Sequence, residues 1–113
     1  MPFISMKTNA SVPAKTGTSI RSGLGEAIRL LPGKTESWLM LSLEDQLPMA
    51  FAGTEDPCAM VQVQVYGHQE PSSYNRLTEA VTALLSKELG IDPSRIYVAY
   101  QETMNWGWNG SNF

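Results

Sequence analysis

An internal repeat constrains the fold of this chain more than any other feature of its sequence. A shift of 57 residues, the distance from Gly33 to Gly90, superposes apolar residues of the first half on apolar residues of the second. The other superposed pairs are Ile4 and Val61, Leu24 and Val81, Ile28 and Leu85, Leu39 and Ile96, and Leu41 and Val98. Because positions that recur at a fixed spacing occupy equivalent places in a repeated unit, the two halves should share one order of elements.

Apolar periodicity predicts the order strand, helix, strand in each half. Alternation of apolar and polar residues is typical of a strand with one buried face, and apolar residues three and four apart are typical of a helix. The predicted elements are 3–8, 14–31 and 39–43 in the first half, and 60–66, the residues from the turn at 71–73 to Leu89, and 96–101 in the second. Pro32-Gly33 and Gly90 should end the two helices, and Asn109-Gly110 predicts a tight turn.

Two such halves side by side form a β-α-β-β-α-β unit, an α+β fold with a four-stranded sheet and two helices on one face. We expect one domain over residues 1–113, which is long enough to bury roughly two thirds of its unfolded surface. The sheet face away from the helices should carry Trp38, Met40, Gln62, Gln64, Tyr97 and Ala99. This set is too apolar to be left fully in water, so we expect other copies of the chain to cover part of it.

Charge and cysteine content narrow the range of partners. The formal net charge of -3, from 8 Lys and Arg against 11 Asp and Glu, provides no basic surface for nucleic acid or an anionic membrane. No apolar run reaches the ~20 residues of a membrane-spanning helix, and no signal-peptide pattern is present. Cys58 is the only cysteine, which fits a reducing compartment. We therefore expect a cytoplasmic protein without membrane insertion, whose release from a cell would need a non-classical route.

Pro2 is a candidate catalytic residue because it directly follows Met1. If Met1 is removed, Pro2 carries a free secondary amine, which can act as a base or nucleophile. Inside a chain, by contrast, the proline nitrogen is an amide without a proton or a basic lone pair. The alternative is that proline at the second position reports only methionine processing.

Several short motifs resemble the macrophage migration inhibitory factor family of the tautomerase superfamily along nearly the full length of the chain. The matching features are Met1-Pro2, Gly33-Lys34, residues 48–57, Ser94-Arg95-Ile96-Tyr97 and residues 107–113. Each motif is short, but their joint order and spacing are specific. The resemblance implies the same doubled β-α-β fold, assembled as a homotrimer with three active sites at subunit boundaries.

The resemblance implies a cofactor-free keto-enol tautomerase that acts on phenylpyruvate-like or dopachrome-like compounds, with Pro2 as general base. Burial of the amine and the nearby ammonium of Lys34 would bring its pKa towards the working pH. Lys34 would also pair with the substrate carboxylate, although a cation after a helix can equally serve the helix dipole. We expect no metal or nucleotide cofactor, because His68 is the only histidine and no phosphate-binding glycine loop follows a strand.

The resemblance also implies a substrate pocket rich in aromatic side chains. Tyr97 aligns with a tyrosine contributed across the subunit boundary, and its alternative role is an ordinary strand aromatic on the trimer face. Tyr66 stands where the family has an aliphatic residue whose backbone contacts substrate, and an ordinary strand-end aromatic describes it equally well. Trp38 replaces a tyrosine at the rim, and Trp106 replaces a smaller apolar residue. The substrate-binding residues implied are Phe3, Lys34, Trp38, Tyr66, Tyr97, Trp106 and Phe113. Such a pocket favours flat aryl substrates.

Two positions depart from the family pattern. Ala99 stands where relatives have an asparagine that helps to hold substrate, so one polar contact is missing. The Cys-x-x-Cys motif of some members appears here as Cys58-Ala59-Met60-Val61. A dithiol cycle needs two sulfur atoms, so we reject thiol redox activity and expect Cys58 to be buried and structural.

A rival hypothesis assigns the chain to a different functional class. In it, the protein is a cytokine-like ligand of a cell-surface receptor, and any tautomerase activity is a vestigial by-product of the fold. This hypothesis rests on analogy with the family alone, because the surface residues that bind a receptor cannot be identified from one sequence.

Overall fold

The computed structural model describes all residues from 1 to 113 and shows the predicted β-α-β-β-α-β order. The main elements are β1 (Pro2–Thr8), α1 (Ala14–Ala27), β2 (Met40–Glu44), β3 (Ala59–Tyr66), α2 (Pro71–Leu89) and β4 (Ile96–Thr103). A short hairpin of β5 (Gly107–Trp108) and β6 (Ser111–Asn112) follows them. Three 3-10 turns lie at Ile28–Leu30, Glu36–Trp38 and Pro93–Arg95. No helix is long and apolar enough to cross a membrane.

The four long strands form one sheet in the order β2-β1-β3-β4. Each half contributes a parallel pair, β1 with β2 and β3 with β4, as expected when a helix connects the two strands. The halves join through the antiparallel pair β1 and β3, in which Pro2 lies opposite Val65 and Thr8 lies opposite Ala59. This register places the start of the chain beside the end of β3.

The hydrophobic core lies between the sheet and the two helices. Alternate residues of β1 and β3 are buried, which confirms the period of two that predicted these strands. The fully buried large side chains of the core are Ile4, Met6, Ile20, Leu24, Ile28, Leu31, Val61, Val63, Val65, Leu77, Leu85 and Ile91. Because both helices contribute to one cluster with the strands, the other face of the sheet is left open.

The helices end and the last turn forms where proline and glycine predicted, with one difference. The α-helical part of the first helix ends at Ala27 rather than at 31, and its last turn is a 3-10 turn. Pro32 explains why helical backbone stops before Leu31, because a proline disfavours this conformation at the residue before it, and Leu31 is extended. Gly90 takes the left-handed conformation that ends α2, as predicted. Asn109 and Gly110 both have positive φ, which confirms the tight hairpin turn.

The open face of the sheet carries most of the residues predicted for it. Gln62, Gln64 and Ala99 are exposed, and the exposed fractions of Met40 and Tyr97 are 68% and 60%. Trp38 was wrongly placed on this face. It lies in the 3-10 turn before β2, where its ring contacts the ring of Trp108 at a centroid distance of 5.1 Å.

Candidate functional site

Pro2 is buried at the first position of β1, between β2 and β3. A proline cannot donate a backbone hydrogen bond to the ladder, but it is tolerated at the first residue of a strand. The residue before it is also anchored, since the amide of Tyr66 donates a 3.2 Å hydrogen bond to the carbonyl oxygen of Met1. The sheet therefore fixes the direction of the chain on both sides of the Pro2 nitrogen.

The ammonium of Lys34 lies beside the N-terminal amine. A turn through Gly33, whose φ is +83°, follows α1 and brings Lys34 to this end of the sheet. Its Nζ donates a 3.0 Å hydrogen bond to the carbonyl oxygen of Tyr66. The side chain thus reaches across to β3 and its ammonium is not directed at the carbonyl groups that end α1.

This environment makes the N-terminal amine a weaker base than usual. The pKa of the Met1 amine is lowered from 8.0 to about 6, first by burial and then by the charge and hydrogen bonding of Lys34. Burial and a neighbouring cation both disfavour the protonated form, so the two effects act in the same direction. The Met1 amine is therefore largely neutral near pH 7.

Aromatic side chains gather around the same end of the sheet. The rings of Tyr66 and Phe113 are 5.3 Å apart between centroids, and Trp38 meets Trp108 edge to face. Trp108 was missed by the sequence interpretation, although the hairpin sequence that carries it was noticed. Its ring is placed by the turn at 109–110, which folds β5 onto β6.

An open cleft of about 560 Å³ adjoins these rings on the uncovered face of the sheet. Its lining residues are Phe3, Met40, Gln64, Gln101, Thr103, Asn105, Trp106 and Gly107. Phe3 takes part because alternate residues of a strand face opposite sides, so Phe3 points away from the core that buries Pro2 and Ile4. The cleft thus lies close to the first residues of the chain, and its lining combines polar amides with the side chain of Trp106.

Tyr97 lies far from Pro2 of the same chain. Pro2 lies opposite Val65 of β3, whereas Tyr97 lies opposite Met60, five residues away along that strand. At the usual rise of a strand, Val65 and Met60 are about 17 Å apart along β3. Tyr97 instead contacts Phe51, with ring centroids 4.9 Å apart. Within a single chain, Tyr97 and Pro2 therefore lie towards opposite ends of the sheet.

A second feature that the sequence did not reveal is a hydrogen-bond network around Glu102 that extends to the segment before Lys34. Glu102 accepts a 2.6 Å hydrogen bond from the hydroxyl of Tyr74 and a 3.1 Å bond from the amide of Gln69. The side chain of Gln69 in turn donates a 3.0 Å bond to the carbonyl oxygen of Pro32, two residues before Lys34. The hydrogen bonds that Tyr74 and the amide of Gln69 donate to Glu102, with a further contact to His68, lower the pKa of Glu102 from 4.5 to about 2.

Cys58 is buried, with only 2% of its surface exposed, which confirms the prediction for its burial. The hydroxyl of Thr8 donates a 2.7 Å hydrogen bond to its carbonyl oxygen, so the backbone at Cys58 is tied to the end of β1. No group of three or more His, Cys, Asp or Glu side chains is arranged to hold a metal ion.

A family model described as "Macrophage migration inhibitory factor (MIF)" matches residues 1–113 of this chain. The macrophage migration inhibitory factor of Rattus norvegicus is 31% identical over 118 residues, which cover 100% of this chain and 99% of the relative. A homolog from Wuchereria bancrofti is 33% identical over 119 residues, with the same coverage. The D-dopachrome decarboxylase of Gallus gallus is 29% identical over 108 residues, 94% of this chain and 90% of the relative.

Solved structures with the same fold are also found. The crystal structure of Leishmania major MIF2 is 34% identical and superposes with a TM-score of 0.93, over 100% of this chain and 97% of that chain. The macrophage migration inhibitory factor homologue from Prochlorococcus marinus is 30% identical with a TM-score of 0.88, over 98% of each chain. Both the backbone path and the sequence are thus similar over the full length.

Proposed function

The chain belongs to the macrophage migration inhibitory factor family, and from this premise we propose that it is a cofactor-free keto-enol tautomerase whose general base is the free amine of Pro2. The observation that carries the proposal is the surroundings of the N-terminal amine, which is partly buried next to the ammonium of Lys34. Such surroundings favour a neutral amine near pH 7, and a general base works best when its pKa is close to the working pH.

Removal of Met1 would transfer the role of terminal amine to Pro2. The Pro2 nitrogen then becomes a secondary amine one residue closer to the core, in a residue that is already buried. Burial and the cation at Lys34 continue to act on it, so we expect its pKa to stay below that of an exposed amine. While Met1 is attached, the Pro2 nitrogen is an amide and cannot accept a proton.

The proposed substrates are small aromatic keto and enol acids such as phenylpyruvate-like or dopachrome-like compounds. Lys34 would exchange its bond to the Tyr66 carbonyl for a charge-assisted bond to the substrate carboxylate, which fixes the acid beside Pro2. The aryl group would lie against the aromatic rings at this end of the sheet. The proposed rings are those of Phe3, Trp38, Tyr66, Trp106 and Phe113. We add Trp108 to them because its ring contacts that of Trp38.

The reaction moves one proton and needs no redox partner. The neutral Pro2 amine removes a proton from the carbon beside the ketone, and the electron pair of that C–H bond forms the C=C bond of the enol. The ketone oxygen gains a proton from solvent as its C=O bond becomes single, and protonated Pro2 then releases its proton to solvent, which restores the neutral base. In the opposite direction, the enol hydroxyl loses its proton and protonated Pro2 returns one to carbon.

We propose further that the active form is a homotrimer in which Tyr97 joins the site of a neighbouring subunit. Two observations support this assembly. Tyr97 lies at the far end of the sheet from its own Pro2 and is 60% exposed, so it is available to another chain. The open sheet face also exposes Met40 next to amide side chains, which is the type of surface that a further copy can cover.

The decisive experiment compares three forms of the protein in a phenylpyruvate tautomerase assay, with mass spectrometry to identify the N-terminus. The forms are processed protein that begins at Pro2, protein that retains Met1, and Pro2→Gly. We expect the processed form to be active and the retained form to lose about 100-fold or more, the usual contribution of a general base. Equal activity of all three forms, with intact assembly, would remove Pro2 from the mechanism.

A second candidate function is that of a cytokine-like receptor ligand. The observation in its favour is that the rat protein, at 31% identity, is called macrophage migration inhibitory factor. In this case receptor binding would depend on the outer surface of the protein and would survive Pro2→Gly. The same three forms therefore separate the candidates when they are also tested for binding to cells.

A further inference from the structure

The guanidinium of Arg95 gathers the carbonyl groups of one loop, residues 51–57. Its four hydrogen bonds run to the carbonyl oxygens of Pro57 at 2.9 Å, Phe51 at 3.1 Å, Thr54 at 3.2 Å and Asp56 at 2.9 Å. The loop has little regular structure of its own, with one bridge between Phe51 and Thr54 and positive φ at Ala52 and Gly53. A planar group with five fixed donors suits such a role, which a flexible ammonium cannot reproduce.

The 3-10 turn before β4 orients the side chain of Arg95 towards this loop. Arg95 is the last residue of the 3-10 turn that precedes β4, and its amide donates a 2.8 Å hydrogen bond to the carbonyl oxygen of Asp92. The carboxylate of Asp92 accepts bonds from the amide and the hydroxyl of Ser94, at 2.9 Å and 2.7 Å, and these bonds lower its pKa. The capped turn therefore sets the direction of the arginine side chain before the strand begins.

The ring of Phe51 connects Arg95 with Tyr97. The guanidinium carbon of Arg95 lies 5.2 Å from the centroid of the Phe51 ring, within the range of a cation–π contact. The same ring meets Tyr97 at 4.9 Å with an interplanar angle of 66°, the edge-to-face arrangement that aromatic pairs prefer. Phe51 thus contacts both side chains, and it is the aromatic neighbour of a tyrosine that is otherwise largely exposed.

We propose that Arg95 is a positioning residue for substrate binding, because it holds the loop so that Phe51 fixes the ring of Tyr97 in the orientation offered to a neighbouring subunit. The inference rests on the proposed function, since the orientation of Tyr97 matters only if Tyr97 joins a neighbour's site. Arg95 itself has no contact with Pro2 or Lys34. Its loss should therefore weaken substrate binding and leave the proton-transfer step largely intact.

The expected size of the effect follows from the ordering of one side chain. If Tyr97 is no longer held, binding of substrate must immobilise it, which costs about two- to tenfold in affinity. Arg95→Lys keeps the charge but loses the forked set of donors. We expect it to raise KM for phenylpyruvate by about two- to tenfold and to change kcat by less than about twofold.

Two further variants complete the test. Phe51→Leu keeps the carbonyl groups that Arg95 binds and removes only the ring that touches Tyr97, so it should raise KM in the same way, even if Arg95→Lys does not assemble. Arg29→Lys is the matched control, because Arg29 is exposed and is bonded only to Glu26. It should leave KM, kcat and the assembled mass unchanged.

A double variant shows whether Arg95 acts through Tyr97. Tyr97→Leu should raise KM, and adding Arg95→Lys to it should raise KM little further, because residues that act through one group are not additive. An active wild-type protein whose assembled Arg95→Lys and Phe51→Leu variants keep their KM would overturn this inference alone. Independent, multiplying effects of Arg95→Lys and Tyr97→Leu would also overturn it. An inactive wild-type protein would instead overturn the proposed function on which the inference rests.

Discussion

The ammonium of Lys34 and the backbone carbonyl of Tyr66 are joined by a 3.0 Å hydrogen bond. The two residues come from different halves of the repeat, so this end of the sheet is assembled from both. The bond holds a positive charge beside the N-terminal amine, whose pKa is lowered by burial and by Lys34. In the proposed mechanism, a substrate carboxylate would replace this carbonyl as the acceptor.

Replacing Lys34 by alanine should reduce turnover of phenylpyruvate. A hydrogen bond to a charged group is worth about 1.5–3 kcal/mol, so kcat/KM should fall by about ten- to one-hundredfold. Steady-state kinetics on the assembled variant measures the loss. Lys87→Ala, an exposed change in the last turn of α2, is the control and should have no effect. A Lys34→Ala variant with wild-type kcat/KM would exclude Lys34 from substrate binding.

Protein that retains Met1 should show an N-terminal amine that titrates at about pH 6 instead of near 8.0. Because the folded amine binds its proton less tightly than the unfolded one, the folded state holds fewer protons between these values, and stability should rise with pH across that window. An NMR titration of the labelled Met1 amine measures the midpoint. Lys34→Met should raise it only in part, since burial is the larger cause. A midpoint near 8.0 in the folded protein would contradict the prediction.

Glu102 should stabilise the fold in a pH-dependent way. Its pKa is about 2 in the folded state against 4.5 ordinarily, chiefly because Tyr74 donates to it. The contribution is therefore complete above about pH 4.5 and is lost as the pH falls towards 2. Thermal unfolding from pH 6 to 2 should show a smaller loss of Tm in Glu102→Gln than in wild type, whereas Glu44→Gln should follow wild type. Parallel curves for all three proteins would show that Glu102 has no depressed pKa.

Ala99→Asn should improve turnover of a hydroxyphenylpyruvate-type substrate. Ala99 is exposed on the open sheet face and lines a small cleft with Gln62 and Gln101. An amide there adds a hydrogen-bond partner worth about 0.5–1.5 kcal/mol, which corresponds to about two- to tenfold in kcat/KM. Ala99→Leu adds similar bulk without the polar group and should bring no gain. An unchanged or lower kcat/KM for Ala99→Asn would indicate a pocket suited to another substrate.

Mixed subunits should reveal a site shared between chains. Light scattering should give three times 12.4 kDa, the mass of one chain. Trimers assembled from Pro2→Gly and Tyr97→Leu subunits contain some sites with an unchanged Pro2 from one chain and an unchanged Tyr97 from the next. Activity should therefore exceed the mean of the two separate variants. A monomer mass, or activity equal to that mean, would contradict a composite site.

The elements of the fold were predictable because each depends on local patterns. The alternation in 60–66, the apolar spacing up to Leu89 and the glycine at Gly90 act within a few residues, and the structure follows them. The end of α1 was predicted too late, because apolar spacing does not distinguish an α-helix from the 3-10 turn at 28–30, and the effect of Pro32 on Leu31 was not weighed. Trp38 was wrongly placed on the sheet because the chain makes a 3-10 turn at 36–38, and the strand starts only at Met40.

The supporting contacts were not predictable, because they join residues distant in sequence. Arg95 binds carbonyl oxygens 38 to 44 residues away, and backbone carbonyls carry no sequence signal. Glu102 and Gln69 are 33 residues apart and meet only because β4 runs beside β3. The gathering of Lys34 with Pro2 was available only through the resemblance, since periodicity does not show which strand ends become neighbours.

The antiparallel seam between β1 and β3 gives the chain an approximate twofold axis that exchanges its halves. The 57-residue shift turns Pro2 into Ala59 and Thr8 into Val65, and the register pairs Pro2 with Val65 and Ala59 with Thr8. Ala59 is thus the symmetry mate of Pro2, but it lies inside the chain and its nitrogen stays an amide. Each chain of the proposed trimer has these two equivalent positions, Pro2 and Ala59, and only Pro2 can become a terminal amine. The trimer therefore has three such amines. Ala59 lies opposite Ile96, the residue before Tyr97. Each chain of the proposed trimer would thus use one end of the sheet for proton transfer and the other to complete the site of its neighbour.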